Sequence, residues 1–179
     1  MAPTYTCVAC TAYSFPMLAP AHLLVYSSLL GAQLYQSFLL TKIAFQALPR
    51  PAFVSLQKRL FPVYFGVQSL LIALTAVTFP LGPSALLHRR ADWIPLVAAA
   101  VPAALNLIVY GPMTRRIMLQ RAQPVPKPAE QEQLLGQEVA ALKKRFSSAH
   151  AMSIHLNLIT MGATLWYGWR LASALSFEG

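Results

Sequence analysis

Hydrophobic residues dominate four long stretches of the chain, which are separated by more polar segments. Each stretch has about the 20 residues that an α-helix needs to cross a bilayer. The stretches cover residues 21–45, 62–80, 93–112 and 150–176. Their prolines and glycines are compatible with membrane helices, because neighbouring groups can satisfy the freed backbone. The pattern predicts an all-α integral membrane protein, folded as a four-helix bundle of four spans.

The segment between the first two spans has a helical period of its own. Phe53, Leu56 and Leu60 recur at i, i+3 and i+7, and Pro51 suits the first turn of a helix. We therefore expect a short amphipathic helix on the membrane surface after span one, with its basic residues toward the lipid head groups. Pro62 would then mark the start of span two.

A second amphipathic helix is expected before span four. It follows residues 123–129, whose alternating prolines are typical of an extended polyproline segment. Its glutamates come early and its Lys-Lys-Arg run comes late, which suits the helix dipole. Its apolar residues fall at i, i+4, i+7 and i+11, namely Leu135, Val139, Leu142 and Phe146. We expect this lead-in helix to run into span four without a break.

Composition and charge agree with a membrane protein and predict its orientation. Hydrophobic residues make up 56% of the chain and charged residues 11%, against about 25% charged in soluble domains. The net charge of +9 does not indicate nucleic-acid binding, because the basic residues flank apolar spans without a nucleic-acid motif. Eleven of the fourteen Lys and Arg residues lie between spans one and two or three and four. The positive-inside rule places these connectors on the cytosolic side and both termini on the opposite side.

The N-terminal residues 1–20 are predicted to form a non-cytosolic tail, followed by one four-span domain over residues 21–179. The tail contains no Lys or Arg, so it has neither the basic start of a signal peptide nor an Arg-rich presequence. Span one would act as the targeting signal. Cys7 and Cys10 leave three interpretations open: no special role, a disulfide, or a metal or redox site.

Polar side chains inside the predicted spans are the candidates for a binding site, since an unpaired polar group is costly in lipid. Two interpretations remain open: the amides hydrogen-bond across helices, or they line a polar groove that takes a lipid or a small amphiphile. The candidate ligand-binding or lipid-binding residues, two of them from the expected surface helix, are His22, Gln33, Gln36, Arg50, Gln57, Asn106, His150 and Asn157.

The sequence gives little support to catalysis. The spans contain no Asp or Glu, and neither a Ser-His-acid order nor an H-E-x-x-H motif occurs. His22 and His150 fall at span ends on opposite faces, which speaks against bis-histidine haem. The lack of acids in the spans also speaks against a proton-coupled or cation-coupled pump. We expect no catalytic centre, no metal and no cofactor.

The run F-x-x-x-Q-x-x-L-F-P-x-Y-F at residues 53–65 resembles the small four-span membrane family named after transmembrane protein 205. Residues 21–39, 106–121 and 146–172 are similar to that family's other spans, so the resemblance covers nearly the whole chain. It implies a four-helix membrane domain in endomembranes, linked to secretory trafficking and drug tolerance. It carries over no catalytic residues.

Two functions follow as expectations. The first is a non-enzymatic multi-pass protein, acting as an interaction or accessory subunit of a membrane assembly. The alternative is a protein that binds or transports a lipid or small amphiphile in a polar groove between helices. The expected partners are membrane lipids and either other membrane proteins or further copies of the chain, and not nucleic acid. The endoplasmic reticulum or another endomembrane is favoured, and a mitochondrial membrane remains open.

Overall fold

The computed structural model describes residues 18–121 and 132–174. These residues form helices and short turns, with no strand among them. Three predictions lie outside the described residues. They concern Cys7 and Cys10, the rest of the tail up to residue 17, and the proline-rich residues 123–129.

The helices follow one another closely. Their bounds are α1 Leu18–Leu34, α2 Thr41–Ala47, α3 Arg50–Val77, α4 Pro83–His88, α5 Arg90–Leu105, α6 Gly111–Arg121 and α7 Glu132–Ser173. A first π-helical segment, Tyr35–Leu40, joins α1 to α2, and a second, Asn106–Tyr110, joins α5 to α6. The chain therefore continues as one helical rod across each π segment.

Three helical rods in the described part of the chain are long and apolar enough to cross a membrane. They are Leu18–Ala47, Arg50–Val77 and Arg90–Gln120, with 30, 28 and 31 residues. At about 1.5 Å per residue each exceeds the ~30 Å hydrocarbon core of a bilayer. These rods confirm a membrane protein and the helices predicted for the first three spans. Residues 150–173 of the predicted fourth span lie in α7, where polar residues such as Asn157 lower the mean hydropathy.

The surface helix expected after span one is wrong as a separate element. Arg50–Val77 is one helix of 28 residues, and Pro62 lies inside it. A proline removes only one backbone hydrogen bond, and the ring of Pro62 is exposed. Within the predicted apolar stripe Leu56 is exposed, whereas the neighbouring Gln57 is buried.

Two smaller boundaries also differ from the sequence prediction. Helix α1 begins at Leu18, so the tail ends earlier than residue 20, and Pro20 lies in the first turn, where a missing N–H is tolerated. The turn between α3 and α5 contains the short helix α4. Gly82 opens it with φ 86°, a conformation that glycine adopts without strain. The lead-in before the fourth stretch is confirmed as continuous, since α7 is one helix of 42 residues.

The helices pack around small apolar clusters. Helix α1 packs on α3 and α7, and α5 packs on the same two helices. The central cluster consists of Leu29, Ile72, Ala99, Ala103 and Ala163. Its alanines permit close approach of α5 and α7, as is typical of membrane helices. A second cluster lies nearer the α3–α5 turn and consists of Tyr26, Phe79, Leu86, Leu96 and Tyr167.

The distribution of polarity differs from that in a soluble protein. Amide, imidazole and hydroxyl side chains are buried beside the apolar clusters, whereas large apolar side chains cover the outside. Ile108 is 70% exposed and Trp169 is 77% exposed, while Gln33 and Asn106 are fully buried. An outer surface of this kind fits a hydrocarbon environment, in which polar groups must find partners inside the protein.

Candidate ligand-binding site

His22 is buried near the α3–α5 turn and is held between helices. Its Nδ1 lies 3.2 Å from Thr78 Oγ1, and its Nε2 lies 2.8 Å from Tyr167 Oη. The Thr78 hydroxyl donates its own proton to Leu74 O at 2.7 Å, so it accepts from the Nδ1–H of the histidine. Nε2 then accepts the Tyr167 proton. Both ring nitrogens are satisfied, and His22 therefore ties α1 to α3 and α7 and leaves no group for a ligand.

Gln33 and Asn106 likewise join helices. Gln33 Nε2 donates to Thr164 Oγ1 at 3.2 Å, and Asn106 Nδ2 donates to Ser153 O at 3.0 Å. Both bonds reach α7, one from α1 and the other from the second π segment. Amides in this arrangement stabilise helix packing. Arg50 is exposed at the first residue of α3, away from these groups.

A polar network connects α3, α7 and the first π segment. Tyr64 Oη donates to Asn157 Oδ1 at 2.9 Å. Gln68 Nε2 lies 3.2 Å from both Tyr64 Oη and Asn157 Oδ1. Asn157 Nδ2 in turn donates to Ser37 Oγ at 3.1 Å. The network fixes the side chain of Asn157 and forms one wall of a cavity.

The cavity has a volume of about 280 Å³ and is bounded by the first π segment, α2, α3, α6 and α7. It lies toward the basic end of the helices, which we define as the end that carries Lys58, Arg115 and Arg116. Its apolar lining consists of Phe38, Phe61, Pro62, Phe65, Met118, Ile154 and Leu158. Its polar lining includes Gln36, Ser37, Thr41, Gln57, Tyr64, Thr114, His150, Ser153 and Asn157. We call this cavity the basic-end pocket.

Two polar side chains of the basic-end pocket have no partner among the described residues. Gln57 is 3% exposed, and neither Nε2 nor Oε1 of its amide has a hydrogen-bond partner. Thr114 Oγ1 is also buried without one. A buried unpaired amide costs about 1–3 kcal/mol. The chain thus holds a hydrogen-bonding group in the pocket at a cost to stability, as expected for a group that binds a ligand.

The first π segment lines the pocket, and the second lies directly before α6, whose first residue, Gly111, also lines it. The Thr41 N–H bonds to Gln36 O, and the Gly111 N–H bonds to Asn106 O, so each bond spans five residues instead of four. Thr41 Oγ1 also donates to Gln36 O at 2.8 Å, which supports the first of these turns. Single π turns inside α-helices occur frequently at functional sites, because the extra residue redirects the side chains around it.

Among the described residues, the charged side chains that line the pocket are all basic. Lys58 reaches it from α3 and Arg115 from α6. Asp92, at the far end of the helices, lies 3.0 Å from Arg170 and 3.4 Å from Arg89. The pocket therefore has no carboxylate to act as a general base, and the described residues contain no cluster of three potential metal ligands. The arrangement can bind an amphiphile or an anion.

Half of the residues predicted from sequence meet in the pocket. Gln36, Gln57, His150 and Asn157 line it, whereas His22, Gln33, Asn106 and Arg50 do not. The predicted site residues did not include Lys58 and Arg115, which reach the pocket, or Tyr64, which lines it. Lys58 was assigned to the lipid head groups, and Arg115 to a connector. A signal was present, since Gln57 and Lys58 are adjacent, but only the fold shows that both face a cavity.

The fold and the site define the class of protein: an all-helical integral membrane protein with a mainly apolar cavity, lined by a few polar groups, at its basic end. The chain belongs to the family described as the domain of unknown function DUF4149, whose model matches residues 24–123. It is also 44% identical over 161 residues to "Xanthocillin biosynthesis cluster protein D" of Aspergillus fumigatus, covering 88% of this chain and 91% of that protein. No solved structure matches it.

Proposed function

We propose that the protein is a non-enzymatic, multi-pass membrane accessory protein that binds a small amphiphile in the basic-end pocket. The observation that carries this proposal is the buried, unpartnered amide of Gln57 within a mainly apolar cavity. Ligand pockets of this kind combine apolar walls with a few placed polar groups. The relative named for a biosynthesis cluster supports an accessory role.

The proposed architecture is a bundle of four spans, with the C-terminal half of α7 as the fourth. Its polar residues Thr160 and Thr164 are buried against the other helices, whereas Leu158, Leu165 and Trp166 are exposed. A helix that presents its apolar side chains outward suits a bilayer although its mean hydropathy is modest. The basic end would lie on the cytosolic side and the termini on the other. The resemblance to the transmembrane protein 205-like family stays a prediction.

The proposal includes the surroundings of the protein. The exposed apolar belt would contact membrane lipids, and part of it would pack against another membrane protein or a second copy of this chain. We favour the endoplasmic reticulum or a related endomembrane. Co-purification from native membranes, followed by mass spectrometry of the recovered proteins, reports both the organelle and the partners.

Binding in the pocket is tested by native mass spectrometry of the protein extracted from its membranes in a mild nonionic detergent. Met118→Trp adds bulk inside the pocket from α6. Met113→Trp makes the same change on the exposed side of α6, so it is a matched control. We expect an adduct of small-molecule mass on the wild type and on Met113→Trp, and its loss from Met118→Trp.

Two results would overturn the proposal. One is a wild-type protein with no adduct above that of an unrelated membrane protein prepared in the same way. The other is an adduct retained equally by both tryptophan variants, because the ligand would then lie outside the pocket.

A further inference from the structure

The polar groups of the basic-end pocket are arranged in two matching pairs. On α3, the unpartnered Gln57 is followed by Lys58, and on α6 the unpartnered Thr114 is followed by Arg115. Each pair places a buried neutral hydrogen-bonding group next to a cation, and the two pairs line the same cavity from different helices. The proposed function alone, binding of an amphiphile, does not require this repetition.

Building on the proposed function, we infer that the pocket selects amphiphiles whose head group is an anion with oxygen acceptors, such as a carboxylate or a phosphate monoester. The Gln57 amide N–H and the Thr114 hydroxyl can each donate to an oxygen of such a head group. Lys58 and Arg115 supply the opposite charge. Hydrogen bonds to an ionised acceptor are about twice as strong as those between neutral groups.

The two cations are available to a ligand. Within the described part of the chain, the ion pairs join Asp92 to Arg89 and to Arg170. Neither Lys58 nor Arg115 takes part in an ion pair there. No carboxylate lines the pocket. An anionic head group would therefore compete with no acidic side chain of the cavity, whereas a cationic one would meet two like charges.

The size of the cavity limits the rest of the ligand. An engineered apolar cavity of about 150 Å³ holds one benzene molecule, so the basic-end pocket, at about 280 Å³, takes a head group with part of one chain or one small aromatic system. A whole diacyl lipid does not fit. Phe38, Ile154 and Leu158 line the pocket and are also exposed on the apolar outer surface, so a longer tail can leave sideways into the bilayer.

The experiment compares four probes that share one alkyl chain: laurate, dodecyl phosphate, dodecanol and dodecyltrimethylammonium. Each is titrated into the purified full-length protein in nonionic detergent, and occupancy is read by native mass spectrometry. We expect both anions to bind about tenfold more tightly than dodecanol, and the cation more weakly still. Two aromatic probes, 2-naphthoate and its alcohol counterpart 2-naphthol, are titrated in the same way. Comparing 2-naphthoate with laurate shows whether the pocket prefers an aromatic acid or a fatty acid with the same carboxylate head group.

Variants with matched neighbours separate pocket binding from general attraction to a basic surface. Lys58→Gln and Arg115→Gln should each weaken laurate binding several-fold and leave dodecanol unchanged. Arg59→Gln and Arg116→Gln remove one charge at the next position of the same helix, on exposed side chains, and should change neither probe.

Each outcome bears on a different claim. If laurate and dodecanol bind equally and all four charge variants behave like the wild type, the anionic head group is refuted while amphiphile binding stands. If the control variants weaken laurate as much as the pocket variants do, the attraction is a property of the basic surface and the inference fails. If no probe binds and Met118→Trp has no effect on any adduct, the proposed function fails as well.

Discussion

Gln57 and Gln68 lie three turns apart on α3 and are both buried, with 3% and 1% of their surface exposed. They differ in their hydrogen bonds. Gln68 Nε2 lies 3.2 Å from both Tyr64 Oη and Asn157 Oδ1, whereas the Gln57 amide has no partner. Replacing each by leucine, which is similar in size, should therefore change stability in opposite directions.

The expected magnitudes follow from these contacts. Gln57→Leu removes an unpaired buried amide that costs about 1–3 kcal/mol, so the free energy of unfolding of the ligand-free protein should stay unchanged or rise by up to that amount. Gln68→Leu removes one interhelical hydrogen bond, to Asn157 Oδ1, worth about 0.6–2 kcal/mol, and one bond within α3, to Tyr64 Oη. It should lower the free energy of unfolding by about 1–2 kcal/mol.

Thermal unfolding in nonionic detergent, followed by tryptophan fluorescence, measures the difference. A change of 1 kcal/mol shifts Tm by roughly 2–4 °C for a chain of this size. Gln57→Leu should have a Tm equal to or above that of the wild type, and Gln68→Leu should have a lower one. If Gln57→Leu lowers Tm as much as Gln68→Leu does, the Gln57 amide is satisfied within the folded chain. The reasoning that assigns it to a ligand is then refuted.

Three further predictions concern the end of the helices opposite the pocket. A Cβ at Gly168 would overlap the Tyr26 hydroxyl, so Gly168→Ala should destabilise the protein by about 1–3 kcal/mol. Adding Tyr26→Phe should recover part of this loss. Equal Tm values for the single and the double variant would contradict the prediction. Tyr167→Phe leaves His22 Nε2 without its donor and should cost about 1–3 kcal/mol, measured by the same unfolding assay; an unchanged Tm would show that this bond does not stabilise the fold. Asp92→Asn breaks exposed ion pairs and should cost at most about 1 kcal/mol, less at high salt; a larger, salt-independent loss would refute the assignment as a surface pair.

Hydropathy was sufficient to predict the helical rods of the first three spans, because long apolar runs leave few alternatives in a membrane. It was insufficient at Pro62, which was interpreted as a helix start. A single exposed proline removes one backbone bond, and packing of the residues around it keeps α3 continuous. The sequence contains no local sign that distinguishes these two cases.

Helical phase explains part of what the sequence prediction missed in the pocket. Each π turn adds one residue, which rotates everything after it by about 100°. Gln33 precedes the first π segment and bonds to Thr164, whereas Gln36 lies within it and lines the pocket. The second π segment comes directly before α6 and therefore rotates Thr114 and Arg115 in the same way. A constant helical period therefore cannot place these side chains on the correct face.

Photolabelling in liposomes tests most directly whether the basic-end pocket binds an amphiphile. The full-length protein would be irradiated with a diazirine-bearing fatty acid, and the modified residues identified by peptide mass spectrometry. We predict adducts concentrated on Phe61, Met118 and Ile154, which excess laurate suppresses. Adducts spread evenly over outward-facing residues such as Leu24 and Leu70, and unaffected by laurate, would contradict a ligand site in the pocket.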